Sequence, residues 1–154
     1  MTFALSPADT TVGPGEEVVL RVVTDAAPDI KGVSLACGYT AGRLAFVSAH
    51  AGGVIAQPGG FTEFVNPDVV APADSVGYDA VVLSGTGAGP GVVVFLHFLA
   101  TSIGSADVAC PFTDVRDSHN TPSQPPCSSA TIHVVGPVPT HPTRWSDLKR
   151  MTDD

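Results

Sequence analysis

Apolar residues recur at every second position through much of the chain, in short runs broken by Gly, Pro, Asn and Asp. A period of two puts alternate side chains on opposite faces of a strand. Residues 16–24 place Val18, Leu20 and Val22 on one face and Val19, Arg21 and Val23 on the other, between the turn signals Gly13-Pro14-Gly15 and Ala27-Pro28-Asp29. Residues 33–39 carry Val33, Leu35, Cys37 and Tyr39 in one phase and the small Ser34, Ala36 and Gly38 in the other, a face that another backbone can approach closely. Residues 44–49 follow with Leu44, Phe46 and Ser48 inward, then 61–65 and 78–83. Residues 91–99 are the most apolar run, with Val92, Val94, Leu96 and Phe98 expected inside and Val93, Phe95, His97 and Leu99 on the other face. Residues 105–110 and 130–135 close the series. Many short strands with turns between them predict an all-β jelly-roll sandwich of about nine strands.

No helical spacing competes before the C-terminus. Residues 136–142 are Pro-rich and read as an extended linker. Beyond them, Ser146 can cap a short helix whose apolar face, Trp145 and Leu148, is available for docking. The expected organisation is therefore a sandwich over residues 1–135 and a linker with a short amphipathic tail over 136–154.

Composition narrows the functional classes. The 16 Gly and 14 Pro, with only 14% charged residues, suit turns and strands better than helices. A formal net charge of -8 builds no positive field for a phosphate backbone, which excludes nucleic acid and anionic membrane surfaces as partners. Residues 91–99 are too few to cross a bilayer and carry His97, so no membrane insertion is expected. The opening residues have neither a basic region nor a continuous apolar stretch, and no signal peptide is read there. Cys37, Cys110 and Cys127 fit no CxxC pattern. Cys110 and Cys127 bracket a Pro- and Ser-rich segment, and a disulfide between them, worth about 3 kcal/mol, would staple a loop with little packing of its own. Three separate buried thiols are the alternative.

Candidate chemistry is sparse. Ser146-Asp147-Leu148-Lys149 has S-x-x-K spacing but lies in the tail, where a capping serine accounts for it. The glycine run from Gly85 to Gly91 lacks the terminal Lys-Ser/Thr of a phosphate loop. The five histidines are scattered singly. The richest polar cluster offers Asp114, Asp117 and Asn120 as oxygen ligands for a structural calcium ion, with Asx-turn chemistry and an Arg116 ion pair as the alternative. No other cofactor and no catalytic constellation is read, so the expectation is a binding protein and not an enzyme.

The order of these pieces resembles a cohesin domain over residues 2–135. A proline-glycine turn precedes an alternating strand. A Gly-x-x-Leu strand, beginning Gly32-Val33-Ser34-Leu35 and ending in Tyr39, leads to the Leu-x-Phe-Val strand Leu44-Ala45-Phe46-Val47. The later Gly91-led strand has Phe98 near its end, and Gly104 opens the next. The resemblance implies a nine-stranded jelly roll on secreted or surface-attached proteins, close in architecture to some carbohydrate-binding modules and receiving a dockerin. The Asn and Asp with which such domains contact dockerin would fall at Gly32 and Ser34, and the usual Tyr-Asp-Pro reads Tyr39-Thr40-Ala41. The charge-assisted acceptor is missing from this strand. The expected binding patch is Gly32, Ser34, Ala36 and Gly38, flanked by Tyr78, on an extracellular or cell-surface protein. Two other readings stand beside it. One is self-assembly through a terminal arm, Met1–Leu5 or the Trp145 segment, added to a neighbour's sheet edge. The other is polysaccharide binding, for which the supply of seven Phe, two Tyr and one Trp is thin.

Overall fold

The alternating runs become strands, and their buried phases face one another across two sheets. The computed structural model describes residues 1–27, 29–67 and 74–137. In chain order the strands are β1 (Phe3–Ser6), β2 (Asp9–Val12), β3 (Glu17–Thr24), β4 (Gly32–Tyr39), β5 (Leu44–Ala51), β6 (Phe61–Pro67), β7 (Ser75–Val82), β8 (Gly91–Ala100), β9 (Gly104–Arg116), β10 (Pro122–Ser123), β11 (Cys127–Ser128) and β12 (Ala130–Val134). The smaller sheet runs β11-β1-β3-β8-β5 and the larger β2-β12-β9-β4-β7-β6, with β10 folded back onto β9. The protein is an all-β sandwich, and no helix occurs among the described residues. The tail with Trp145 and Leu148 lies outside them.

Val18, Leu20 and Val22 of β3 and Leu96 and Phe98 of β8 meet Val33 and Leu35 of β4, Val76 and Val82 of β7, Val108 of β9 and Ile132 of β12 in one continuous core. Phe98 sits edge-on to Tyr39 of the opposite sheet at 5.2 Å and to Phe46 at 5.9 Å. Such pairs contribute about 1 kcal/mol beyond their burial.

Bulges shift the strict period in three places. On β8 the register slips opposite Val22 and Val23, so Val93 is buried beside Val94 in the place expected of Val92. On β5 the slip between Phe46 and Ser48 leaves Val47 exposed and turns Ala49, not Ser48, into the core. Between β4 and β9 the slip falls between Ala36 and Gly38, opposite the stretch of β9 that holds Pro111. Proline has no N–H for the ladder and is tolerated in a sheet interior at such a bulge.

The cysteine pairing differs from the expected one. Cys37 is bonded to Cys110, 73 residues apart, and Cys127 is free. Cys37 and Cys110 are both buried on the adjacent strands β4 and β9, whereas Cys127 belongs to β11 of the smaller sheet, in register with Phe3. The segment after Cys110 also needs no staple. β9 runs on to Arg116 with Val115 buried, and the buried Thr113 hydroxyl donates to the Pro125 carbonyl at 2.5 Å.

The N-terminus is not a free arm either. Phe3 and Leu5 are buried core residues, β1 pairs antiparallel with β3, and β2 pairs in parallel with β12 in the other sheet. Asp25 fastens this end. Its carboxylate accepts the Thr2 N–H at 2.7 Å, the Thr2 hydroxyl at 2.8 Å and the Ala26 N–H at 2.7 Å. Those bonds, the Thr2 amide first, hold its pKa down to about 2.

Candidate partner-binding face

Four strands of the larger sheet, β9-β4-β7-β6, turn one phase to the core and the other outward. Their register assembles the outward side chains into rows. Arg116, Gly32, Val81 and Thr62 form the first, Asp114, Ser34, Asp79 and Phe64 the second, and Phe112, Ala36, Gly77 and Asn66 the third. Gly32, Ala36 and Gly77 make the floor flat because they bring at most a methyl group.

At the centre the Ser34 hydroxyl donates to Asp79 Oδ1. On the β9 side the Arg116 Nε–H donates to Asp114 Oδ2 at 3.0 Å and its Nη1 to the Asn120 carbonyl at 3.4 Å. Gly32, Ser34, Asp79, Val81, Asp114 and Arg116 line a shallow depression of about 270 Å³. Around it stand exposed apolar side chains: Phe64 at 63% exposure, Phe112 at 48% and Val81 at 44%. An ion pair at the surface adds at most about 1 kcal/mol to folding, and exposed aromatic rings add little, so the fold does not account for this combination.

Gly32, Ser34, Ala36 and Gly38 therefore share one outer face, with Gly38 at its end opposite Ser75 and Ala109. Tyr78 does not flank it. It pairs with Leu35 on the inner side, is 1% exposed, and its hydroxyl donates to Glu63 Oε2 at 2.8 Å. Burial first, then the Glu63 carboxylate, pushes the phenol pKa well up. The acid absent from β4 is supplied by its neighbour, since Asp79 of β7 lies directly opposite Ser34. Sequence reasoning missed Asp79, Phe64 and Phe112 because only strand pairing places them beside Ser34. The one available signal was an exposed phase in β7 that carries an acid among apolar residues.

The oxygen ligands expected for calcium are split. Asp114 belongs to strand β9 and is held by Arg116, and Asn120 turns the chain at φ 61° with its carbonyl bonded to the same guanidinium. Asp117 Oδ1 accepts the N–H groups of His119 at 2.9 Å and Thr121 at 2.8 Å, an Asx-type turn. Asp117 groups with Asp29 and His119 and not with Asp114. The Ser118 hydroxyl and amide donate to Asp29 Oδ2 at 2.5 and 3.2 Å, and the hydroxyl is the main cause that holds the Asp29 pKa below the ordinary carboxylate range.

Two sheets, a buried core between them and crossing connections define a jelly-roll β-sandwich. No protein-family model and no curated protein matches the chain. Solved structures do. The sixth cohesin from scaffoldin B of Acetivibrio cellulolyticus, solved in complex with a dockerin, is 21% identical with a TM-score of 0.72, over 88% of this chain and 100% of that one. A type II cohesin domain from the cellulosome of the same organism has a TM-score of 0.72 at 13% identity, covering 85% of this chain and 94% of that one. A non-cellulosomal cohesin from the archaeon Archaeoglobus fulgidus has a TM-score of 0.66 at 12% identity, covering 99% and 98%. The fold of this chain is cohesin-like.

Proposed function

We propose that this chain is a non-catalytic protein-binding module that receives its partner on the outer face of β9, β4, β7 and β6. The observation that carries the reading is the Ser34–Asp79 pair, set in a floor of Gly32, Ala36 and Gly77 and bordered by Phe64, Val81 and Phe112. Interfaces concentrate their affinity in a few exposed aromatic anchors around a small polar centre, and a flat floor lets a partner's backbone or helix come close. Among the structural neighbours, cohesins solved in complex with dockerins support a dockerin-like partner. A buried disulfide supports an oxidising, extracellular setting.

Titration calorimetry against a panel of dockerin domains and the secreted proteins of the source organism tests the reading, with soluble polysaccharides as the comparison. A protein ligand whose binding is lost in Asp79→Ala supports it. Binding that Asp79→Ala and Phe64→Ala leave intact, or binding of a polysaccharide alone, would sink it.

A further inference from the structure

Two segments distant in sequence meet just past the ends of β4 and β9. Asp29 comes from the link between β3 and β4, and Asp117 and His119 from the turn between β9 and β10. One oxygen of each carboxylate and one ring nitrogen of His119 lie within 4.8 Å of one another. The remaining bonds show which atoms are spoken for. Asp29 Oδ2 accepts both Ser118 donors and Asp117 Oδ1 accepts two turn amides, so each carboxylate keeps its second oxygen for another partner. Asp29 Oδ1 is shut off from solvent and receives no hydrogen bond. The Thr86 hydroxyl is close enough to help hold the Asp29 carboxyl down, without a well-formed bond to that oxygen. The carboxylate is half-buried and Ser118 satisfies Oδ2, so Oδ1 is the atom left open to a cation.

We propose that Asp29, Asp117 and His119 hold one divalent transition-metal ion of the zinc class. Two carboxylates balance the charge of a dication. An imidazole nitrogen selects against calcium, which takes six to eight oxygens, and suits zinc, cobalt or manganese. Three protein ligands leave a position for water, so no further side chain is required. The bound ion would clasp the β3–β4 link to the turn after β9. The same two segments are already joined by the Lys31 N–H to the Arg116 carbonyl at 2.7 Å, and they continue into the Gly32–Arg116 row.

The test uses the full chain freed of metal, titrated with zinc by calorimetry and with cobalt by visible absorption, with calcium in parallel. His119 is exposed, so His119→Ala keeps the fold intact. His97→Ala is the control, because His97 and Glu17, 2.5 Å apart, with the His50 ring beside them, form a separate imidazole–carboxylate grouping. One zinc per chain is expected, with affinity more than about tenfold lower in His119→Ala and Asp29→Asn and unchanged in His97→Ala. Zinc should raise the melting temperature of the wild type and not that of His119→Ala. Absence of zinc binding, equal binding by His119→Ala, loss of binding in His97→Ala, or calcium bound as tightly as zinc would each overturn it.

Discussion

The Tyr78 hydroxyl donates to Glu63 Oε2 at 2.8 Å, and the same oxygen accepts the Ala51 N–H at 2.8 Å. One carboxylate at the edge of the larger sheet thus binds β7 of its own sheet and β5 of the other. Tyr78→Phe keeps the packing of the ring and removes the bond, and it should lower stability by about 2 kcal/mol, as for a hydrogen bond to a charged acceptor. Glu63→Ala should cost more, because two donors lose their acceptor. Urea unfolding at neutral pH measures both as a lower midpoint with an unchanged slope. A Tyr78→Phe variant as stable as the wild type would show that this bond contributes nothing net.

The Cys37–Cys110 bridge closes a long loop, with a sequence separation of 73. Chain-entropy arguments give such a loop about 4 kcal/mol of stabilisation. Reduction, or Cys37→Ser, should lower the unfolding free energy measured in urea by a comparable amount, whereas Cys127→Ser should change stability little. Alkylation in denaturant without reductant should add one label, at Cys127. In the folded protein that labelling should be slow at neutral pH, because burial pushes the Cys127 thiol up and leaves little thiolate. Two labels on unreduced protein, or a label on Cys37, would contradict the pairing.

Acid should release the N-terminal strand. Asp25 has a folded pKa of about 2, below its ordinary 3.8. A depressed carboxylate contributes stability that is fully present above the unfolded value and is lost as pH falls through the folded one. The contribution of the Thr2 and Ala26 bonds should therefore hold at neutral pH and fade between about pH 4 and pH 2. Asp29, lowered by Ser118, adds to the same trend. The melting temperature of Asp25→Asn should lie below that of the wild type at pH 7, and the two curves should converge in acid. Parallel curves down to the lowest pH would rule out Asp25 as a source of the acid sensitivity.

The fold was legible wherever a single period persisted. Residues 16–24, 33–39 and 130–135 alternate and 91–99 form one apolar run, and each became a strand within a residue or two of its expected ends. What escaped was set by pairing across the sheets. Phe3 and Leu5 looked like an apolar arm because four residues carry too short a period to stand out, and only the partners β3 and β11 make them a strand. Asp114 looked like a loop ligand because Pro111 suggested that the strand had ended, whereas a bulge absorbs the proline and β9 continues. Cys37 and Cys110 lie far apart in sequence, and nothing local distinguishes their pairing from one between Cys110 and Cys127.

The candidate face was half legible for the same reason. Ser34, Ala36 and Gly38 share a phase on one strand, which periodicity shows, but Asp79 and Phe112 join them through the registers Ser34 to Asp79 and Ala36 to Phe112. Tyr78 was misplaced by one position. Its phase is that of Val76 and Ala80, which face the core, and its neighbour Asp79 takes the outer side.

Function and folding should separate at this face. Phe64 projects from the edge strand β6 at 63% exposure, so Phe64→Ala should change stability by no more than about 0.5 kcal/mol. If Phe64 anchors the partner, the same substitution should weaken binding by about 2 kcal/mol, roughly thirtyfold, in calorimetry with the captured ligand. Asp79→Ala removes the acceptor of the Ser34 hydroxyl, the carboxylate of the central row that Arg116 does not hold, and should weaken binding further with a similarly small effect on unfolding. Ala36→Arg tests the floor, since a long side chain opposite Gly77 and Phe112 would hold a partner off the sheet without touching the core. Val47→Ala, at an apolar residue of β5 in the other sheet that is 56% exposed, is the control that should leave binding unchanged. Equal losses from Val47→Ala and Phe64→Ala would mean that the two faces cannot be told apart by binding, and the assignment of the partner to the larger sheet would fall.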